Sequence, residues 1–309
     1  MNPLLVVFLL SALPPSAQQP ASTTPAQSTS QTTTVQNQKQ GQGESNRSVL
    51  KPAPGQEAIK EKDLYDRTGY LHPFRRMPQF LFVDQEKIWS SPFRTPKRDA
   101  KWWAIWGGAT AGLIAADRYI ERNAPTNATL VRVGNDASYL GEAYTLLPIA
   151  AGMYFIGTAK GSDHFREAGM LSFEAIADVG IMQLVLKEVA GRERPLEGNH
   201  NGAFEESPNR WNSSFPSGHA ISTFAIGSVI AHEYPHHWWV KALIYGYGAG
   251  VAGARLAAQR HFPGDVLAGG VMGWFVGDYV YGKRHNPELD KKFSARAILS
   301  HISIGGGMN

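Results

Sequence analysis

The chain has no cysteine among its 309 residues. That excludes disulfides, cysteine-ligated zinc or iron–sulfur sites, and a cysteine nucleophile. Strong charge of one sign is lacking too. The balance of +4 is a mild bias toward anionic partners and too weak to argue for nucleic acid. No lysine or arginine precedes Lys39, so the basic start of an export signal is missing. The rest of such a signal is there: Leu4 to Leu13 is apolar, and Pro15-Ser16-Ala17 offers a small residue for cleavage. That run is too short to span a bilayer. The expectation is a cleaved signal over 1–17 and an exported protein, periplasmic or membrane-associated; an uncleaved membrane-surface anchor is the alternative.

Residues 18–50 have almost nothing apolar. Gln, Ser, Thr, Ala and Asn in that proportion cannot bury enough surface to fold, which predicts a disordered linker. Residues 51–97 mix proline, basic and aromatic residues and read as an irregular arm with short helical pieces, lying on a membrane or on the domain itself. From Arg98 the texture changes. Apolar blocks rich in Ala, Gly, Leu and Ile cover 102–120, 143–159, 168–190, 220–231, 238–254 and 266–281. Strict alternation is scarce, so the blocks predict six helices and an all-α domain over 98–285, with a tail over 286–309. Their uncharged runs are about 12 to 17 residues, short for a membrane span. Asp117, Asp178 and Lys187 interrupt them. Small residues four apart, Gly246 and Gly250, then Gly269, Gly273 and Gly277, predict close helix contacts.

Gly248 to Gly253 spells G-x-G-x-x-G. A dinucleotide-binding turn needs a strand, a helix, a second strand and an acidic residue about 20 positions on. Another Gly-rich helix follows here instead, so helix packing is the better reading.

Three segments hold most of the chemistry. In the first, Lys187 and Arg194 are seven apart, on one face of a helix that Pro195 should end at Arg194. Two cations would project from its last turn, where the helix dipole alone also favours basic residues. In the second, Ser217 is a natural N-cap for a helix starting near His219, and Gly218 lets a ligand approach the backbone. Free N–H groups at such a start make an anion site. In the third, Arg255 and His261 are six apart, the chain turns near Pro263 and Gly264, and Asp265 is four past His261. A carboxylate on one ring nitrogen fixes the tautomer and frees the other to attack; Asp265 as a plain helix cap is the bland alternative. Together these give three cations, neutral donors, an acid, a nucleophile and an orienter, a set suited to phosphoryl transfer without metal.

The sequence resembles the type 2 phosphatidic acid phosphatase and vanadium haloperoxidase superfamily, whose pattern is K-x6-RP, PSGH and SR-x5-H-x3-D. Lys187-x6-Arg194-Pro195, Pro216-Ser217-Gly218-His219 and Arg255-x5-His261-x3-Asp265 stand in that order, and Ala254 replaces the serine before Arg255. The resemblance implies a six-helix bundle core. It implies His261 as the nucleophile forming a phosphohistidine, His219 as acid and then base, and Asp265 as orienter. Lys187, Arg194, Ser217, Gly218 and Arg255 would hold the phosphate, with no metal ligand and no cofactor. The expected activity is that of an acid phosphatase, a phosphoric monoester hydrolase acting on phosphate monoesters or lipid (pyro)phosphates. Modest length favours this branch. A haloperoxidase holding vanadate in the same pocket, a lipid phosphotransferase and a non-catalytic scaffold are the alternatives. The expected partner is a phosphorylated small molecule or lipid, with membrane association and no nucleic acid. "HHWWVK" from His236 reads equally as a membrane-interface motif or a packed helix start. His164, His200, His232, His236, His237 and His301 read as surface or interface groups, and Arg210 and Trp211 as candidates for substrate contact on a rim loop.

Overall fold

The computed structural model describes residues 72–124, 127–198, 201–287 and 289–290. The expected signal, the linker, the first part of the arm, His200, His301 and the tail from 291 lie outside these residues. Among the described residues the regular structure is helical, with no strand: α1 (His72–Arg94), α2 (Ala100–Asn123), α3 (Ala128–Ser138), α4 (Ala143–Lys160), α5 (Asp163–Ala190), α6 (Gly218–Glu233), α7 (Trp238–Ala257) and α8 (Pro263–Arg284). Six of these answer to the six apolar blocks. Two were not anticipated. Helix α3 is short and is started by Asn127, whose side chain accepts from Leu130 N at 2.7 Å. Helix α1 runs unbroken through Pro78 and Pro92 where an irregular arm was expected. Its apolar face explains why: Met77 and Phe80 are buried in the main core with Met170, Leu171, Val179, Ile221 and Val280. A domain boundary at 98 therefore cuts through the core.

Helices α6 and α8 run side by side in the same direction, and glycines set their separation. A Cβ at Gly269 would stand 2.7 Å from the Ser217 carbonyl oxygen, and Gly273 and Gly277 meet the Ile221 and Ala225 backbones in the same way. The second small-residue stripe is thus a packing seam, bringing the starts of α6 and α8 together. The first stripe is not: Gly246 and Gly250 face open space, and Gly248 meets Phe224 instead. The inner face of α7 is the one carrying Gly248, Val251 and Arg255. The G-x-G-x-x-G segment lies wholly inside α7.

Helix α5 is antiparallel to α6 and carries buried charge. Asp84, Glu174 and Asp178 surround one cation, Arg284. Arg284 Nη2 reaches both oxygens of Asp84 at 2.9 and 2.7 Å, and Glu174 Oε1 lies 2.9 Å from its Nε. Burial pushes Glu174 well above the ordinary carboxylate range and Asp178 up to about 8. By length and composition α5 is able to cross a membrane, and 56% of its apolar window is buried inside the bundle. Trp238 and Trp239 open α7 and are exposed, while Val240 in the same turn packs against the core.

Candidate active site

The site forms where the end of α5 meets the starts of α6 and α8. Gly191, at φ 48°, adopts the left-handed conformation that ends α5, and its N–H caps the Lys187 carbonyl. The helix therefore stops before the position expected from Pro195, and Arg194 lies beyond it in a loop. Lys187 and Arg194 still reach one pocket, from a helix and a loop rather than one helical face. The pocket is a cavity of about 470 Å³, lined by Lys187, Arg194, Gly218, His219, Arg255 and His261, with Arg260, Asn212, Gln183 and Glu142 among the others. Ser217 and Asp265 sit just behind it, both fully buried. A larger apolar groove of about 860 Å³, lined by Trp103, Trp106 and Phe275 among others, carries none of the motif residues.

His261 is buried, and its Nδ1 lies 2.7 Å from the Ser214 carbonyl oxygen. A carbonyl only accepts, so Nδ1 carries the proton and Nε2 keeps its lone pair. Asp265 Oδ2 is 3.8 Å from the same nitrogen. The expected orienter therefore acts one step removed. Its Oδ2 accepts from Ser214 Oγ at 2.6 Å and from Phe262 N at 2.9 Å, while Oδ1 accepts from Arg192 Nη1 at 2.6 Å. Asp265 is both a helix-start cap and the anchor of the residue that orients His261. Burial would raise its pKa, but His261, Arg192 and Ser214 outweigh burial and hold it low. His261 itself is driven well below the usual imidazole range, by burial first. It is a neutral base in the free pocket.

The cations are held by backbone carbonyls. Arg194 donates to Asn212 O and Arg260 O, each at 3.0 Å, and to Asn212 Oδ1 at 2.7 Å. Lys187 donates to Ser213 O, and Ser213 Oγ returns a bond to Lys187 O. Burial, then Arg194, brings the Lys187 ammonium down to about 7, and the same two causes bring Arg255 to about 10. Arg255 Nε has no hydrogen-bond partner although buried. Ser217 stands at the N-cap of α6, yet its hydroxyl caps nothing and is likewise unpartnered. Its N–H is taken by Asp265 O at 3.1 Å. The N–H groups that follow, at the helix start, have no intrahelical acceptor. Crowded cations, a loose hydroxyl and a helix N-terminus make a cage for a tetrahedral oxyanion. Such a donor set suits phosphate, or vanadate, better than a metal cation.

Two functional positions escaped the motifs. Glu142, the residue before α4, places Oε1 3.0 Å from His219 Nε2. Burial depresses the His219 pKa most, Glu142 opposes this, and Arg255 adds to it. Glu142 is itself held low, chiefly by His219. Nothing in the sequence marks it beyond its place before an apolar block. Arg192 sits inside the first motif as an unspecified residue. It is buried between Asp265 and Asp117, whose Oδ2 it reaches at 3.0 Å, and stacks on Phe204 and Phe262. Arg210 and Trp211 do not line the pocket: Arg210 donates to Glu188 O at 3.0 Å, and Trp211 is exposed. His164 and His232 are not simple surface groups, since each faces a carboxylate, Glu233 and Asp278.

The PAP2 superfamily model matches residues 168–287. The chain is 29% identical over 111 residues to a lipid A 1-phosphatase of Rhizobium johnstonii, covering 35% of this chain and 44% of that one. It is 28% identical over 111 residues to a lipid A 1-phosphatase of Rhizobium etli, covering 35% and 47%. The match thus spans less than half the length of these curated relatives. Among solved structures it is similar to LpxE of Aquifex aeolicus, at 22% identity, 54% of this chain, 93% of that one and TM-score 0.41. It is also similar to a transmembrane PAP2 type phosphatidylglycerolphosphate phosphatase from Bacillus subtilis, at 22% identity, 72%, 97% and TM-score 0.41. The segment that matches the PAP2 superfamily model begins in α5, ends just past α8 and holds all three motifs at one pocket.

Proposed function

We propose that the protein is a phosphatase that hydrolyses phosphate monoesters by way of a phosphohistidine, with lipid-borne phosphate as the target. One observation carries the reading: buried, neutral His261, its Nδ1–H committed to Ser214 O, faces a cage that Lys187, Arg194 and Arg255 line. The free Nε2 attacks phosphorus. The ester P–O bond breaks as the P–N bond forms, and protonated His219 gives its proton to the departing oxygen. Water then attacks phosphorus, His219 takes a proton from it, and the P–N bond breaks to release phosphate. The three cations, the Ser217 hydroxyl and the Gly218 N–H hold the non-bridging oxygens, so that charge building there meets preorganised donors. No step in this scheme calls on a metal.

Lipid is favoured by the pocket mouth. Tyr139, which lines it, and Leu140 and Tyr144, which flank Glu142 in the chain, are all more than half exposed. The curated relatives' names point to lipid A carrying a 1-phosphate, which we take as the first substrate to try. Export to a membrane-facing compartment completes the proposal. The test is phosphate release in EDTA from lipid A and from a soluble aryl phosphate, with His261→Ala as control. Release lost in the variant is expected. Full activity in His261→Ala, or halide oxidation that needs vanadate and peroxide in place of release, overturns the reading.

A further inference from the structure

The bundle's other end carries a second cluster. Helix α6 is 16 residues long, so this end is about 24 Å from the phosphate pocket. Here the start of α5, the end of α6 and the chain leaving α8 meet. His164 Nδ1 lies 2.5 Å from Glu233 Oε1. His285 Nδ1 lies 2.8 Å from Glu167 Oε1 and 3.7 Å from Glu233 Oε2. One ligand-type atom from each of Glu167, Glu233 and His285 falls within 4.8 Å of the others.

Both glutamate side chains have no solvent exposure. Two buried carboxylates side by side need positive charge between them. Glu233 Oε2 accepts no hydrogen bond, although it faces His285 and is shut off from water. A buried carboxylate oxygen left without a partner is costly. Tetrahedral zinc with ligands at about 2.0–2.1 Å separates its donor atoms by about 3.3 Å. The three distances here lie on either side of that spacing, so small side-chain movements suffice. His164 and Glu167 are three apart on α5 and share a face.

The surroundings are arranged as around a metal ligand. His285 Nε2 lies 3.1 Å from Asp290 Oδ2, its ring stacks on Tyr281 at 4.5 Å, and Asn286 N donates to Glu167 Oε1 at 2.9 Å. A ligand histidine whose far nitrogen meets a carboxylate is fixed in tautomer and orientation. His164 is part-exposed and gives an ion a route in from solvent.

We propose that His164, Glu167, Glu233 and His285 bind one divalent cation of the zinc class, which clamps the ends of α5, α6 and α8. Two imidazoles with two carboxylates suit zinc or cobalt and are poor for magnesium. The site is structural, set apart from hydrolysis, and does not rest on the phosphatase reading.

The experiment uses the full chain without an affinity tag, stripped with EDTA and titrated with Co²⁺ and with Zn²⁺. The expected result is one bound equivalent by elemental analysis, a visible Co²⁺ absorption band, and a higher melting temperature with Zn²⁺ but not with Mg²⁺. All three should be lost in His164→Ala/His285→Ala and kept in His236→Ala, which removes a neighbouring exposed histidine. If the double variant does not fold, His164→Ala alone should weaken Co²⁺ binding at least 10-fold. No bound equivalent in the wild type, or the same Co²⁺ band in the His164 variant, overturns the proposal and leaves a network of imidazolium and carboxylate.

Discussion

Glu142 Oε1 stands 3.0 Å from His219 Nε2, and both residues line the pocket that gathers the motif residues. An anion among cations looks misplaced in an oxyanion site. Its effect on His219 gives it a use. Burial and Arg255 push the imidazole toward its neutral form, and a neutral imidazole has no proton to give a leaving group. Glu142 is the group that opposes them.

Glu142→Gln should therefore lower the His219 pKa further. The protonated fraction then falls at a lower pH, so the alkaline fall in kcat moves to lower pH. At pH 7 kcat should drop several-fold, about tenfold for each whole pH unit by which the profile moves, and recover in more acid buffer. KM for the phosphate ester should not rise, since an anion has been removed. A pH–kcat profile that superimposes on the wild type would show that Glu142 does not tune His219.

Lys187 yields a second pH signature. Its folded pKa of about 7 lies below the ordinary value of 10.5, through burial and then Arg194. It is charged below about 7 and neutral above, so it stops helping to hold an oxyanion as pH rises through that value. Sulfate keeps its charge over this range and isolates the effect. Competitive inhibition by sulfate should weaken from pH 6 to pH 8 in the wild type. In Lys187→Arg, whose guanidinium stays charged, the dependence should flatten. Equal slopes in both proteins would place the titration elsewhere.

Arg192 is a matter of stability as much as of chemistry. It is the cation between Asp117 and Asp265, fully buried with them. Removing one partner of such a cluster leaves uncompensated charge and costs about 3–5 kcal/mol. Arg192→Gln should lose that much in denaturant unfolding, and activity should fall because Asp265 no longer holds Ser214 against His261. Ser214→Ala separates the two effects. It cuts the same hydroxyl bond to Asp265 but leaves the buried charges paired, so activity should fall as in Arg192→Gln while the loss of stability is much smaller.

The motif residues were legible because their spacing is set by local chemistry. A helix end, a Pro-Ser-Gly turn and a capped helix start each place two or three side chains within a few residues. What the sequence concealed is what tertiary packing supplies. Asp265 was expected to touch His261 directly, since four residues is the right reach. Ser214, from another loop, takes that bond instead, and no local pattern announces it. Gly246 and Gly250 have the same spacing as Gly269 and Gly273, yet only the second pair is a seam. Which face of a helix turns inward depends on the neighbours. Glu142 and Arg192 were missed for the same reason: their partners come from distant segments.

Asp178 offers a test of the bundle's buried acids. With Asp84 and Glu174 it makes three carboxylates around Arg284, and Gln85 Nε2 donates to its Oδ1 at 2.9 Å. Its folded pKa of about 8 lies above the ordinary 3.8, because burial and then Asp84 disfavour the charge. Below 3.8 both folded and unfolded chains hold the proton and nothing is at stake. Between 3.8 and 8 the unfolded chain ionises while the folded one does not, so stability falls as pH rises, and above 8 the loss is complete. Asn cannot ionise and keeps the oxygen that Gln85 bonds. Asp178→Asn should therefore melt close to the wild type at pH 4 and a few degrees higher at pH 8, the gap widening with pH. A gap that stays constant, or one that favours Asp178 at pH 8, would mean that this carboxylate is ionised and compensated in the folded bundle.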